Sequence, residues 1–510
     1  MSRTKNSIRN AIFTMIGSIV IMLLQLVNRK VFVNFLASEY LGLNGLFSNI
    51  LSMLSMSEMG VGTAIIFALY KPLGEGDTEH VKSLMQLYKR LYTGIGCFVL
   101  GVGALLTPWL HIFIKEMPDI PYIHLYYIMY VIDSGISYFY TYKRSIIICN
   151  QEDYISSTTT MLASAGAKLT QFIILITTHN YFLFLLVQIL FTRLENIWIS
   201  HIADKKYPYL KDKQIKPLGQ EDRKSIKRNI AAMMTQKMGS VIVSGTDNLI
   251  ISKILGLSVL GFYSNYVLLL NTVNSLINKV FNSVTASIGN MVVKKSKDES
   301  EVAFFNILFV NYWIFGFSSI CFCALFQPFI CLWVGERFVL PDIAVWVFVA
   351  CFYINGMRRT VLAFRNATGI FWYDRYRAIL EAVVNLIISI PLTYLWGVMG
   401  VKLGSLIALL LTTFWLEGYV LYKHFFEKSS IMYQLLQIKY CVLTVLLCLL
   451  TTYLCKLVDT GSVSSFILEC AICVVVPNVI MLLLSARSKE FQYFWGIVVR
   501  FLKKKKQGKR

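Results

Sequence analysis

KMGSVIVSGTDNLIISKILGLSVLGFYSN, residues 237–265, is the stretch whose reading decides the fold. It reads as an apolar helix, a turn at Gly256–Ser258 and the start of a second helix. Lys237 and Asp247 lie inside the apolar part, and Lys253 lies toward its end. A charge at the centre of a bilayer costs about 2.5–3.5 kcal/mol even on a lenient insertion scale. Such side chains therefore face a bundle interior or a water-filled cavity and mark a substrate or ion path. The stretch has an echo. FLASEYLGLNGLFSN (35–49) aligns at constant offset with ILGLSVLGFYSNYVL (254–268), so that Leu36, Leu41, Gly42 and Leu43 fall on Leu255, Leu260, Gly261 and Phe262. At the same offset Asn28 and Arg29 fall on Asp247 and Asn248. Two copies of this pattern predict two related halves with a site at the repeat interface.

Composition places the chain in the membrane class. Of 510 residues, 56% are hydrophobic and only 15% are charged, and long apolar runs recur throughout. The net charge of +21 does not point to nucleic acid. Most basic residues cluster in alternate connections between apolar runs, the positive-inside pattern, and no basic stretch is interleaved with aromatics on a soluble domain. The 11 cysteines are scattered, nearly all within apolar runs, and show no disulfide framework. Cys470 and Cys473 have redox spacing, but in an apolar helix they read as packing. The six histidines lack ligand spacing, so neither metal nor cofactor is expected. Arg3, Lys5 and Arg9 precede an apolar run too long for a signal-peptide core, which reads as a retained first span.

The fold class expected is all-α and integral to the membrane. About 14 transmembrane helices are predicted, at 11–36, 42–70, 91–114, 122–147, 157–178, 181–203, 229–255, 259–292, 302–326, 342–364, 377–396, 398–422, 437–456 and 465–485. On this count 38 lysines and arginines lie at one side and three at the other, which predicts both termini in the cytoplasm. Residues 1–203 read as an N-terminal six-helix bundle and 204–228, with Pro208 and Pro217, as a basic cytoplasmic linker. Residues 229–424 read as a second, pseudo-symmetric six-helix bundle. Residues 425–510 add two helices and a basic tail suited to anionic lipid.

Eight basic residues remain within or near the spans: Arg29, Lys30, Lys168, Arg193, Lys237, Lys253, Lys279 and Lys402. In the first span Thr14, Ser18, Gln25, Asn28 and Arg29 share one helix face, within about 100° at 3.6 residues per turn. In the eighth, Asn271, Asn274, Asn278 and Asn282 form a second stripe with Lys279 beside it. Lys168 accompanies Gln171, and Arg193 accompanies Glu195 and Asn196. Deep cations suit phosphate, and asparagine amides suit sugar hydroxyls. The cavity candidates are therefore Arg29, Lys168, Arg193, Lys237 and Lys279 for an anionic head. Gln25, Asn28, Asn271, Asn274 and Asn278 are the candidates for a glycan. Asp247, Glu58, Asp133 and Glu195 are candidates for ion coupling, with no catalytic set.

Plainer readings stand beside these. Polar residues also bond helix to helix, and Lys30, Lys253 and Lys402 can snorkel to an interface. The four acids and Glu381 can serve only as counter-ions. Outward movement of an anion gains about 2.3 kcal/mol per charge per 100 mV, negative inside. With no GxxxxGK[ST] motif, membrane gradients are the expected energy source.

Four stretches carry a family resemblance: VNFLASEYLGLNGLFSNILSMLSMSEMGVGTAI (33–65), YKPLGEGD (70–77), SGTDNLIISKILGLSVLGFYSNY (244–266) and ATGIFWYDRYRA (367–378). On these the chain resembles the polysaccharide (lipid-linked oligosaccharide) flippases of the multidrug/oligosaccharidyl-lipid/polysaccharide exporter superfamily. The resemblance implies two six-helix bundles around a cavity with two added helices. It implies alternating access that moves an undecaprenyl-diphosphate-linked oligosaccharide from the inner to the outer leaflet of a bacterial cell membrane, for capsule, O-antigen or exopolysaccharide assembly. Implied partners are that lipid-linked oligosaccharide, the bilayer and the polysaccharide polymerase machinery, with the chain working as a monomer. A multidrug or cation antiporter of the same fold and a lipid II-type flippase remain alternatives. A membrane polymerase or ligase is disfavoured, because the chain has neither a sizeable outer loop nor a catalytic constellation.

Overall fold

The computed structural model describes residues 3–496, except 59, 151, 213–214, 295, 369, 371–372 and 374–375. Sixteen α-helices follow one another: α1 (Arg3–Phe35), α2 (Ser38–Leu54), α3 (Val61–Glu75), α4 (Thr78–Leu106), α5 (Ile123–Cys149), α6 (Asp153–Thr178), α7 (Tyr181–Lys206), α8 (Gln220–Ile254), α9 (Leu257–Lys294), α10 (Lys297–Val334), α11 (Asp342–Met357), α12 (Arg359–Thr368), α13 (Arg377–Ala408), α14 (Phe414–Leu421), α15 (Ile431–Val458) and α16 (Val463–Ser485). Among the described residues no strand occurs, and nine helical runs are long and apolar enough to cross a membrane. Each of the fourteen expected spans overlies helix.

Local chemistry explains several boundaries. Asp77 accepts the His80 amide at 3.0 Å and starts α4. Asn180 accepts from Phe182 and Leu183 at 2.8 and 3.3 Å and starts α7. Ser296 and Glu299 form a capping box at the start of α10, which satisfies amides that have no partner within the helix. The second expected span is broken into α2 and α3 by a tight turn over Ser55–Glu58. The longest run, Arg377–Phe426, is two passes. It reverses at Trp396 and Gly397, where Gly397 has φ 59° and ψ −136°, a backbone open only to glycine. Across that reversal Asn385 donates to Ser405 Oγ at 2.8 Å and Ser389 to the Val401 carbonyl at 3.2 Å.

Contacts divide the chain into two units, Met1–Ser264 and Asn265–Arg510, with the division inside α9. In the first unit α1 packs on α6, α6 on α7, α5 on α4 and α7, and α8 on α2 and α3. In the second, α10 is the axis against which α11, α15 and α16 pack. The two C-terminal helices dock through Tyr312 stacked on Tyr440 at 4.0 Å and through Trp313 donating to Asn478 at 2.8 Å. Helix α15 shows why the chain needs lipid. It buries Gln437, Thr444 and Thr451 and turns Leu435, Val442, Leu446, Leu449 and Leu457 outward. Water would reward the reverse arrangement, and a hydrocarbon surround rewards this one.

Candidate functional site

The expected cations of the first unit fall on neighbouring helices. On α1, Asn28 is buried and donates to the Lys168 carbonyl on α6 at 2.7 Å. Its own side-chain oxygen is buried without a hydrogen-bond partner. Arg29 donates to Ser264 Oγ and lies in the electrostatic reach of Tyr130. Tyr130 and Tyr181 both donate to Asn44 Oδ1. On α6 the Lys168 ammonium donates to Gln171 Oε1 at 3.1 Å, and Gln171 in turn donates to the Phe184 carbonyl at 3.2 Å. No carboxylate pairs with Lys168 among the described residues. On α7, Arg193 donates to the carbonyls of Ile132 and Asp133 at 2.7 and 3.0 Å and stands 3.8 Å from Asp133 Oδ1. Its second terminal nitrogen is buried without a hydrogen-bond partner. An ammonium and a guanidinium with donors to spare are equipped to take an anion's oxygens.

The acidic candidates separate by their surroundings. Glu195 is committed, accepting from Arg144 at 2.5 Å and Thr160 at 2.7 Å. Asp133 faces Arg193. Glu58 accepts from the Tyr92 hydroxyl at 2.5 Å, and Tyr92 continues to Tyr88 and Ser145. Asp247 is buried on α8. Gln25 is half-buried on α1. The side chains of Thr14, Lys237, Lys279 and Asn282 lie outside the described residues. Two of the remaining cations have structural positions. Lys253 reaches the carbonyls of His111 and Ile114, each at 3.4 Å, and Lys402 lies 5.6 Å over the Phe348 ring.

In the second unit, Asn271 is exposed while Asn274 and Asn278 are half-buried on α9. Arg359 Nη2 approaches Asn274 Oδ1 at 3.5 Å. Counted by side, Arg358, Arg359, Arg365 and Arg377 fall with the basic residues that follow the tenth expected span, and the structure draws three of them to one buried acid. Glu417, 2% exposed, draws Arg358 at 2.9 and 3.0 Å, Arg377 at 3.1 Å and Arg365 at 3.7 Å. Arg377 also holds Glu381 at 2.9 Å, and Thr413 donates to Glu381 at 2.7 Å. Three guanidiniums thus surround two carboxylates. The signal available was Glu417 itself, an acid inside an apolar run that requires a cation. The spacing of Arg358 and Arg365, two helical turns, was a second.

Nine described helical runs apolar enough to cross a membrane mark a multi-pass membrane protein, and its fold is that of solved transporters of the multidrug/oligosaccharidyl-lipid/polysaccharide superfamily. Solved structures of similar fold include lipid II flippase MurJ in an inward closed conformation, with TM-score 0.62 at 13% identity over 93% of this chain and 99% of that one. A multidrug resistance MATE family transporter, inward-facing, gives TM-score 0.59 at 14% identity over 79% and 97%. A superfamily transporter from Pyrococcus furiosus, described as having a binding pocket of reverse polarity, gives 0.55 at 14% over 83% and 96%. No curated protein matches the chain in sequence. Residues 7–286 match the family described as polysaccharide biosynthesis protein, and the chain belongs to that family.

Proposed function

We propose that the chain is a flippase that carries an undecaprenyl-diphosphate-linked oligosaccharide from the inner to the outer leaflet by alternating access. The observation that carries this reading is the pair Lys168 and Arg193. They sit half-buried on adjacent helices, Lys168 bonded to Gln171 through one donor and Arg193 with a terminal nitrogen that has no hydrogen-bond partner. Diphosphate is the anion such donors suit. Asn28, with its unpartnered oxygen, and Asn271, Asn274 and Asn278 would meet sugar hydroxyls. Lys237 and Lys279 complete the proposed cationic set. Asp247, Glu58 and Asp133 are the coupling candidates, while the partners held by Glu195 favour its reading as a counter-ion.

The proposal includes two bundles, 1–203 and 229–424, joined by 204–228, with 425–510 appended. It places both termini in the cytoplasm of a bacterial cell, the chain acting as a monomer beside the polymerase machinery. A cation antiporter is the less favoured reading, because Glu195, Glu381 and Glu417 are already neutralised by arginine. A lipid II-type substrate is the second reading, favoured by the fold likeness to lipid II flippase MurJ. Complementation of strains lacking either flippase tests the proposal. Rescue of glycan export, lost on Lys168→Gln with Arg193→Gln, is the expected result. Rescue of peptidoglycan precursor export alone would replace the substrate, and rescue of neither with intact drug efflux would overturn the flippase.

A further inference from the structure

Under the connection that follows α7, the first unit lines a half-open cavity of about 730 Å³. One wall is a single face of α4, with Lys82, Met85, Gln86, Lys89, Arg90 and Thr93 at helical spacing. The end of α5 contributes Tyr142 and Lys143, and α7 contributes Asp204. The opposite wall is the linker itself, through Leu210, Lys211, Asp212 and Ile215. This volume lies in the range of small-molecule sites. The cavity shares no residue with the group around Lys168 and Arg193.

Its charges do not balance. Lys143 is paired with Asp204 at 2.8 Å. Lys82 is held between Glu79 and Asp212, the latter at 3.2 Å. That second pair, with Ser83 Oγ donating to the Lys216 carbonyl at 2.6 Å, straps the linker against α4. Lys89, Arg90 and Lys211 are left exposed, and none has a carboxylate in ion-pair range among the described residues. The strap therefore gathers three uncompensated cations around one cavity, where they repel one another unless an anion enters. Arginine offers two parallel donors that match a phosphate, and the lysines add mobile charge. Met85, Leu210 and Ile215 give the same cavity an apolar side, as basic pockets for acidic headgroups have.

We propose that this cavity binds a phosphate-bearing anion, either the headgroup of an anionic phospholipid or a soluble diphosphate. Lys89, Arg90 and Lys211 are its ligands, and the Lys82–Asp212 pair holds the linker in place as a wall. The site stands independently of the transported substrate.

The test uses the purified full-length protein, titrated separately with short-chain phosphatidylglycerol and with inorganic pyrophosphate, and read by calorimetry. The triple variant Lys89→Gln, Arg90→Gln, Lys211→Gln is compared with Lys224→Gln, Lys227→Gln, Arg228→Gln, which removes the same charge from an exposed stretch of α8. The expected result is saturable binding of at least one probe, weakened about tenfold or more by the first variant and about twofold or less by the second. Binding of phosphatidylglycerol but not pyrophosphate assigns the site to lipid, and pyrophosphate binding of equal strength assigns it to the phosphate alone. Equal weakening by both variants, no weakening by the first, or no binding to the wild type overturns the proposal. If the first variant fails to fold, Lys211→Gln alone, on the exposed linker, is expected to weaken binding about threefold or more, and an unchanged affinity overturns it.

Discussion

Gly42 and Gly261 make the same contact in opposite directions. A Cβ on Gly42 would strike the carbonyl of Leu257, and a Cβ on Gly261 would strike the carbonyl of Ser38. Each glycine stands in its own copy of the repeated LG pattern. Glu39 and Ser258, which the alignment of the copies equates at an offset of 219 residues, hydrogen-bond at 2.5 Å. The repeat is thus not only similar in sequence. Its two copies are packed reciprocally at the starts of α2 and α9, where glycine lets one backbone lie on another.

The contact predicts a symmetric response to substitution. Gly42→Ala and Gly261→Ala should each destabilise the protein by about 1–3 kcal/mol, because the obstructing atoms are backbone and cannot rotate away. The double variant should cost less than the two single costs combined, since parting α2 from α9 once relieves both clashes. Thermal unfolding of the purified variants in detergent checks this, and strict additivity would contradict a shared contact.

The arginine cluster on Glu417 makes a second prediction. Glu417→Gln removes the centre of the cluster and leaves buried guanidiniums facing one another. A loss of about 3–5 kcal/mol is expected, the range for breaking a buried pair from one side. Glu381→Gln should cost less, because Glu381 meets a single arginine and keeps a neutral donor in Thr413. Arg365→Gln, at 3.7 Å from Glu417, should cost least. Melting temperatures of the three variants are the measurement, and Arg365→Gln melting lowest of the three would refute the geometry.

The reach and the limit of sequence reading both show in this region. The two passes flanking Gly397 were legible, because an apolar run of double length must reverse and glycine alone tolerates the turn. The counter-ion role weighed for Glu381 was legible too, because an acid in an apolar run needs a cation. The cluster itself was not. Residues 358 with 365, 377 with 381, and 417 come from three segments, and only tertiary packing brings them to one point. Counting Arg358 and Arg365 with the basic residues after the tenth span follows from hydropathy, which sees charge along the chain but not its partner across it. Arg29, Lys168 and Arg193 had no helical neighbour in sequence to neutralise them, and Lys168 keeps that character in the fold.

Gly397 gives a third prediction. Its φ of 59° with ψ −136° lies outside the regions open to residues with a Cβ. Gly397→Ala should cost about 1–3 kcal/mol. Asn385→Ala, which removes the bond to Ser405 within the same hairpin, should cost only about 0.6 kcal/mol, as membrane-buried hydrogen bonds usually do. Unfolding midpoints measured side by side decide whether backbone strain outweighs the hydrogen bond; equal costs would refute the ranking.

Lys168 and Arg193 give the prediction closest to function. If each supplies donors to a diphosphate, charge and geometry matter differently at the two positions. Lys168→Arg keeps the charge and should retain most of the export activity. Lys168→Gln should lower it about tenfold or more, the loss of one charge-assisted contact of about 1.5–3 kcal/mol. Arg193→Lys should behave worse than its conserved charge suggests, because an ammonium cannot bond the Ile132 and Asp133 carbonyls and still present a second planar donor pair. Export of lipid-linked glycan in cells, normalised to membrane protein level, separates these outcomes from misfolding. If Lys168→Gln exports normally while remaining folded, that ammonium serves only its bond to Gln171, and the diphosphate must be held elsewhere.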